Sequence, residues 1–274
     1  MVDNGKGPPL ALVPGIQGRW EYMEPALEAL RQKFRVLTFA LSGEPGTSVT
    51  LDRARGVEND VQEIVAALDR AGVSSAVICG VSYGGLPAIR FAARYPSRAR
   101  ALVLVSTPAP PWQLRPRHRF YAKLPWFFGP LFFVETPFRL RAEVGAAIPA
   151  WLARWRFVTG QLQAFLQAPV SPTRMAVRAM WIADTDIVAD CANVSAPTLV
   201  VTGEPALDRV VSVDGTLSYL KLIENSRHVM LRATGHLGSI THPEAFAAAL
   251  HDFVSGLPDQ AAVDGVSGEK NDAA

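Results

Sequence analysis

The chain has 274 residues, 49% hydrophobic and 19% charged, the make-up of a folded protein with room for one large core or two small ones and not of a disordered chain. Its 27 basic and 25 acidic residues leave a formal charge of +2, so nothing at whole-chain level points to nucleic acid. The two cysteines, Cys79 and Cys191, have no metal-ligand spacing and fit a reducing compartment.

The first residues, "MVDNGKGPPLALVPG", lack the basic start and long apolar stretch of a secretory signal. No apolar cluster is long enough to form a transmembrane segment, so the expectation is a soluble, cytoplasmic protein. Short apolar runs then alternate with helical patterns. Strands are expected at 10–13, 35–41, 76–81 and 101–106, with helices at about 21–33, 57–70 and 85–95. After a long interruption, strands return at 198–203 and 228–233 and a last helix at 244–255. Strands that are apolar throughout and alternate with helices predict an α/β fold, a mostly parallel, doubly wound sheet covered on both faces.

The interruption runs from Pro108 to Asp190. It holds no convincing core strand but many aromatics and prolines, and ten basic residues, Arg115 and Arg178 among them, against five acidic ones. It reads as a helical cap inserted after the strand at 101–106. For most of its residues the expectation is that the rings pack the cap onto the sheet while the arginines face water. The sharper alternative is an apolar pocket with a cationic rim, and the aromatic and basic content also permits loose association with anionic lipid. The expected division is a core of 9–107 and 191–257, a cap of 108–190 and a disordered tail of 258–274.

Within "VICGVSYGGLPAI", residues 77–89, a core strand stops on Ser82 and hands over to a helix within a few residues. Gly80, Gly84 and Gly85 surround the serine and tolerate close backbone approach or positive φ. "GVSYGG" matches the G-x-S-x-G nucleophile elbow in its strand–turn–helix setting. From about residue 9 to 256 the chain here resembles the α/β-hydrolase superfamily, and the resemblance implies a serine esterase or lipase-like enzyme with a helical cap. A serine hydroxyl needs a base, and the superfamily's histidine loop matches "ATGHLGSITHPEAF", which puts the base at His236. The acid that orients the imidazole is expected in "TGEPALDRVVS", at Asp208 or, as the alternative, Glu204. The backbone N–H groups of Ile16 and Tyr83 take the oxyanion positions by the same resemblance, with Gln17 as a further substrate contact.

The resemblance implies hydrolysis of carboxylic esters through an acyl-enzyme on Ser82, His236 and Asp208. Acyl transfer, carbon–carbon bond hydrolysis, peracid formation or a ligand receptor built on the same pocket are the other readings. The expected partner is a small-molecule ester with a hydrophobic acyl or alcohol part. No metal, organic cofactor or nucleic acid is implied, and the oligomeric state is left open.

Overall fold

The computed structural model describes residues 1–114 and 116–258. Arg115 and the expected disordered tail, apart from Pro258, lie outside the described residues.

The chain opens with β1 (Val2–Asn4) and β2 (Pro9–Val13), then α1 (Glu24–Arg31), β3 (Arg35–Thr38), α2 (Glu58–Arg70) and β4 (Ala76–Val81). The helix α3 (Gly85–Arg94) leads to β5 (Ala99–Val105). The helices α4 (Pro116–Lys123), α5 (Pro125–Ala147), α6 (Trp151–Gln167) and α7 (Pro172–Asp184) come next. Then come α8 (Val188–Ala192), β6 (Thr198–Thr202), α9 (Val213–Leu217), α10 (Tyr219–Leu222), β7 (Ser226–Met230), α11 (Gly238–Thr241) and α12 (Pro243–Ser255).

The strands form one sheet in the order β1-β3-β2-β4-β5-β6-β7, parallel except for β1. Each central strand buries both faces, so consecutive residues feed opposite cores. Ile78, Leu102 and Leu104 join one cluster with Val61, Ile64 and Leu68 of α2 and Leu86 and Ile89 of α3. Val77, Cys79, Val103 and Val105 join the other, with Leu27 and Leu30 of α1 and Phe246, Leu250 and Phe253 of α12. Full burial of each such side chain contributes about 1.5–3 kcal/mol. The doubly wound architecture expected from the alternating pattern is therefore what forms.

Three details differ from the sequence expectation. β1 was not expected because "VDN" has no apolar alternation; it is held by antiparallel backbone pairing to β3. β3 ends at Thr38, short of Leu41. β7 starts two residues before His228 and ends at Met230. As the edge strand β7 is half exposed, so hydrophobicity marks its limits poorly and pairing with β6 sets them.

The rings of the helical segment also depart from expectation. Trp181 is buried, but Trp126, Phe127, Phe138, Trp151 and Trp155 are exposed, while Arg178 is buried. Apolar residues lie on more than one side of α5, and the outward side faces solvent.

Candidate active site

The turn after β4 owes its shape to steric exclusion. A Cβ on Gly80 would stand 2.4 Å from the Gly84 carbonyl oxygen, and one on Gly84 would stand 2.4 Å from the Val13 oxygen. One on Gly85 would meet the Thr107 hydroxyl at 2.1 Å. The three glycines serve close approach, and the positive φ falls instead on Ser82 itself, at 54°. A non-glycine residue there is strained and marks a position fixed by its surroundings. That backbone leaves the Ser82 side chain at the carboxyl edge of the sheet, beside the point where the strand order reverses between β2 and β4.

Two later loops meet it on the same edge. His236 follows β7 and brings Nε2 to 3.1 Å from Ser82 Oγ. Asp208 follows β6, and its Oδ2 lies 3.4 Å from His236 Nδ1. Its other oxygen accepts the N–H groups of Val210 and Val211, each at 2.9 Å. Burial would raise the Asp208 carboxyl, but the bond to His236, its charge and the two backbone N–H groups outweigh that and hold it below the usual value. Glu204, the alternative acid, points elsewhere and accepts the Ala233 N–H at 2.8 Å. An imidazole set between a hydroxyl and a carboxylate can take a proton at Nε2 while the carboxylate favours the Nδ1–H tautomer.

Ile16 lines the cavity onto which Ser82 opens, and a Cβ on the preceding Gly15 would lie 3.6 Å from Ser82 Cβ. Tyr83 is fully buried and donates its hydroxyl to Asp60 Oδ2 at 2.6 Å. Gln17 is exposed and is not among the residues lining the cavity.

The sequence reading missed the groups that brace these loops. Glu143, buried on α5, accepts with one oxygen the N–H of Gly235 at 2.8 Å and of Leu237 at 2.5 Å, one on each side of His236. Burial raises its carboxyl above the ordinary value even though both N–H groups oppose the shift. Arg178 of α7 donates to the carbonyls of Ile16, at 3.1 Å, and Ser42, at 2.9 Å, and pairs with the buried Glu44 at 2.9 Å. Arg174 reaches the same carboxylate at 2.8 Å. Asp60 accepts the N–H and the hydroxyl of Ser42 as well as the Tyr83 hydroxyl, and burial pushes its carboxyl up. A helix full of rings gives no periodic signal for one buried glutamate, and only the excess of arginines hinted at the rest.

The cavity has a volume of about 170 Å³. Its walls are apolar side chains of α4, α5 and α7, such as Phe128, Phe133, Met175 and Ile182, with Val210 and Val211 beside Asp208. His118, Tyr121 and Arg139 supply most of its polar edge. Among the described residues no cluster of three or more His, Cys, Asp or Glu is placed to hold a metal.

A family model described as the alpha/beta hydrolase fold matches residues 8–243. The chain is 28% identical over 248 residues to a pimeloyl acyl-carrier-protein methyl ester esterase of Aromatoleum aromaticum, covering 86% of this chain and 93% of that one. It is 27% identical over 264 residues to polyketide synthase ThaQ of Burkholderia thailandensis, covering 93% of this chain but only 12% of that much longer protein. Among solved structures, an enol-lactonase from Burkholderia xenovorans superposes with a TM-score of 0.71 at 19% identity, over 93% of this chain and 95% of its own.

Proposed function

Because the chain belongs to the alpha/beta hydrolase fold family, we propose that it is a serine hydrolase of carboxylic esters. Ser82 Oγ attacks the ester carbonyl as its proton passes to His236 Nε2, and Asp208 stabilises the imidazolium that forms. The N–H groups of Ile16 and Tyr83 hold the oxyanion of the tetrahedral intermediate. His236 then gives its proton to the departing alcohol, leaving an acyl group on Ser82. Water enters, loses a proton to His236 and releases the acid, restoring the hydroxyl. Residues 108–190 act as the cap, whose apolar wall accepts the hydrophobic acyl or alcohol part. Glu143 and Arg178 act as positioning residues, the first on the loop that carries His236 and the second on the Ile16 peptide.

The observation that carries this reading is the 3.1 Å approach of His236 Nε2 to Ser82 Oγ across 154 positions of chain, with a buried carboxylate behind the ring. The relatives named as an esterase and an enol-lactonase act on ester-type bonds, which agrees with it. The test is turnover of a panel of p-nitrophenyl esters together with labelling by a fluorophosphonate. Ser82→Ala is expected to lose both and to keep the melting temperature. Full turnover by that variant would end the proposal.

A further inference from the structure

Helix α5, which walls the cavity, and the neighbouring α6 carry a second pattern that ester chemistry at Ser82 does not use. On α5, Phe127, Leu131, Val134 and Phe138 recur at the spacing of one helical face, and all four are exposed, Phe127 to 77%. On α6 the same spacing links Trp151, Trp155, Val158, Leu162 and Leu166, again all exposed, with Trp151 at 76%. Trp126, next to the first stripe, is 83% exposed. Phe133 of α5 meets Phe165 of α6 edge to face, with ring centroids 6.1 Å apart. Phe128, Gly129 and Phe133 of α5 also line the cavity onto which Ser82 opens. This helix is therefore apolar toward the cavity and apolar toward solvent.

Contiguous apolar surface on this scale marks an interaction face, and the charge around it says what kind. Between Pro116 and Gln167 there are seven arginines and lysines against two glutamates, a balance of +5. One of those glutamates, Glu143, is buried and bonded to the loop around His236. Arg119, Lys123, Arg141 and Arg156 are exposed beside the stripes. Exposed tryptophan, phenylalanine and leucine flanked by cations is the composition that seats a helix at the headgroup level of a bilayer. Such cations are drawn to an anionic surface. A second copy of the chain would bring two faces of the same positive sign together, which disfavours self-association. Among the described residues no helix is long and apolar enough to cross a membrane, so the contact would lie along the surface.

We infer that α5 and α6 form the face by which this protein docks on an anionic lipid bilayer, with the outer side of the cavity wall against the lipid. The inference goes beyond the ester reading and does not need Ser82, so the two can fail separately. The experiment uses the full chain carrying Ser82→Ala, mixed at low salt with vesicles of phosphatidylcholine alone or of phosphatidylcholine with phosphatidylglycerol. The expected result is co-sedimentation with the anionic vesicles, about tenfold tighter than with the neutral ones. Tryptophan emission should shift to the blue on binding, and added salt should release the protein. Trp151→Ser with Trp155→Ser should weaken binding by about tenfold or more, while the same pair of changes in the Ser82 protein leaves turnover of a soluble ester unaltered. Three results would overturn it: no co-sedimentation with anionic vesicles, binding undiminished by the double substitution, or light scattering that shows a dimer dissociated by that substitution.

Discussion

At the carboxyl edge of the sheet, Gly80, Gly84 and Gly85 are packed so tightly that one added methyl group would collide with neighbouring atoms, whereas on α5 and α6 whole tryptophan rings stand in solvent. Ser82 of the first region and α5 of the second line the same cavity, yet the two are built differently. In the sheet and its helices the cores are apolar, with Asp60 and Glu63 of α2 as buried carboxyls. At the seam with the helical segment two charged groups, Glu143 and Arg178, are buried alongside Trp181 and Ile182, while several rings of α5 and α6 are exposed. The contrast teaches that the floor of the cavity is shaped by packing, while its roof adds the directed polar bonds of Glu143 and Arg178 to the apolar contacts of α7. Floor and roof should then respond differently to substitution.

The largest effect belongs to the floor. Asp208→Asn keeps the size of the side chain and both backbone bonds but loses the charge behind His236. Turnover of a p-nitrophenyl ester is expected to fall by about 10⁴-fold. The matching change Glu204→Gln leaves the Ala233 N–H bonded and should alter turnover by less than about twofold. If steady-state kinetics gave the opposite ranking, the acid would have been assigned to the wrong carboxylate.

At the seam the expected loss is in stability. Arg178→Met preserves bulk but leaves the buried Glu44 with Arg174 as its remaining charged partner, and it frees the carbonyls of Ile16 and Ser42. Removing one member of a buried pair costs about 3–5 kcal/mol, and Arg174 should keep the value at the lower end. Urea denaturation reads the difference. A loss below about 1 kcal/mol would mean that the roof is held by packing after all.

These two regions were also unequally legible in the sequence. The elbow could be read because its signal is local: a strand, three glycines and a serine within ten positions, the glycines required by close contacts with one another and with the ends of the flanking strands β2 and β5. His236 could be placed because its loop follows the last strand at a recognisable spacing. Glu143 could not, since its partners Gly235 and Leu237 are more than ninety positions away and α5 shows no polar pattern around it. Arg178 looks in sequence like any helical arginine, and only the fold shows it seated where a Cβ on Gly18 would strike its guanidinium at 2.3 Å. The exposed rings were misread for a related reason. Aromatic content signals burial only where a second layer exists to cover it. β1 escaped because its hold on the sheet is backbone pairing with β3 and the Asp3–Arg35 ion pair, neither of which leaves an apolar pattern.

Glu143 gives a smaller and pH-dependent effect. Its carboxyl is raised in the folded protein, so its contribution to stability is fully present below the unfolded value near 4.3 and is lost as pH rises through the folded value. Glu143→Gln cannot titrate and still presents one oxygen to Gly235 and Leu237. The variant should therefore remove one of the contributions that lower stability as pH rises above the unfolded carboxyl value, Asp60 and Glu63 supplying others of the same sign. Glu143→Ala instead strands two N–H groups at a cost of about 1–3 kcal/mol and should lower kcat more than it raises KM. Equal effects of Gln and Ala on the pH profile of kcat would show that this side chain does not position His236.

The smallest effect should come from the outer face of the roof. Trp155 stands 62% exposed on α6, so Trp155→Ala removes little buried surface and should change stability by less than about 0.5 kcal/mol. Phe246, fully buried between α12 and the sheet, provides the contrast, and Phe246→Ala should cost about 3–5 kcal/mol. Both substitutions delete one aromatic ring, so the ratio of their costs measures directly how far the two regions differ. If Trp155→Ala destabilised the free protein as strongly as Phe246→Ala, the ring would have to be covered in solution. The rule of outward rings over a packed floor would then fail at its most exposed helix.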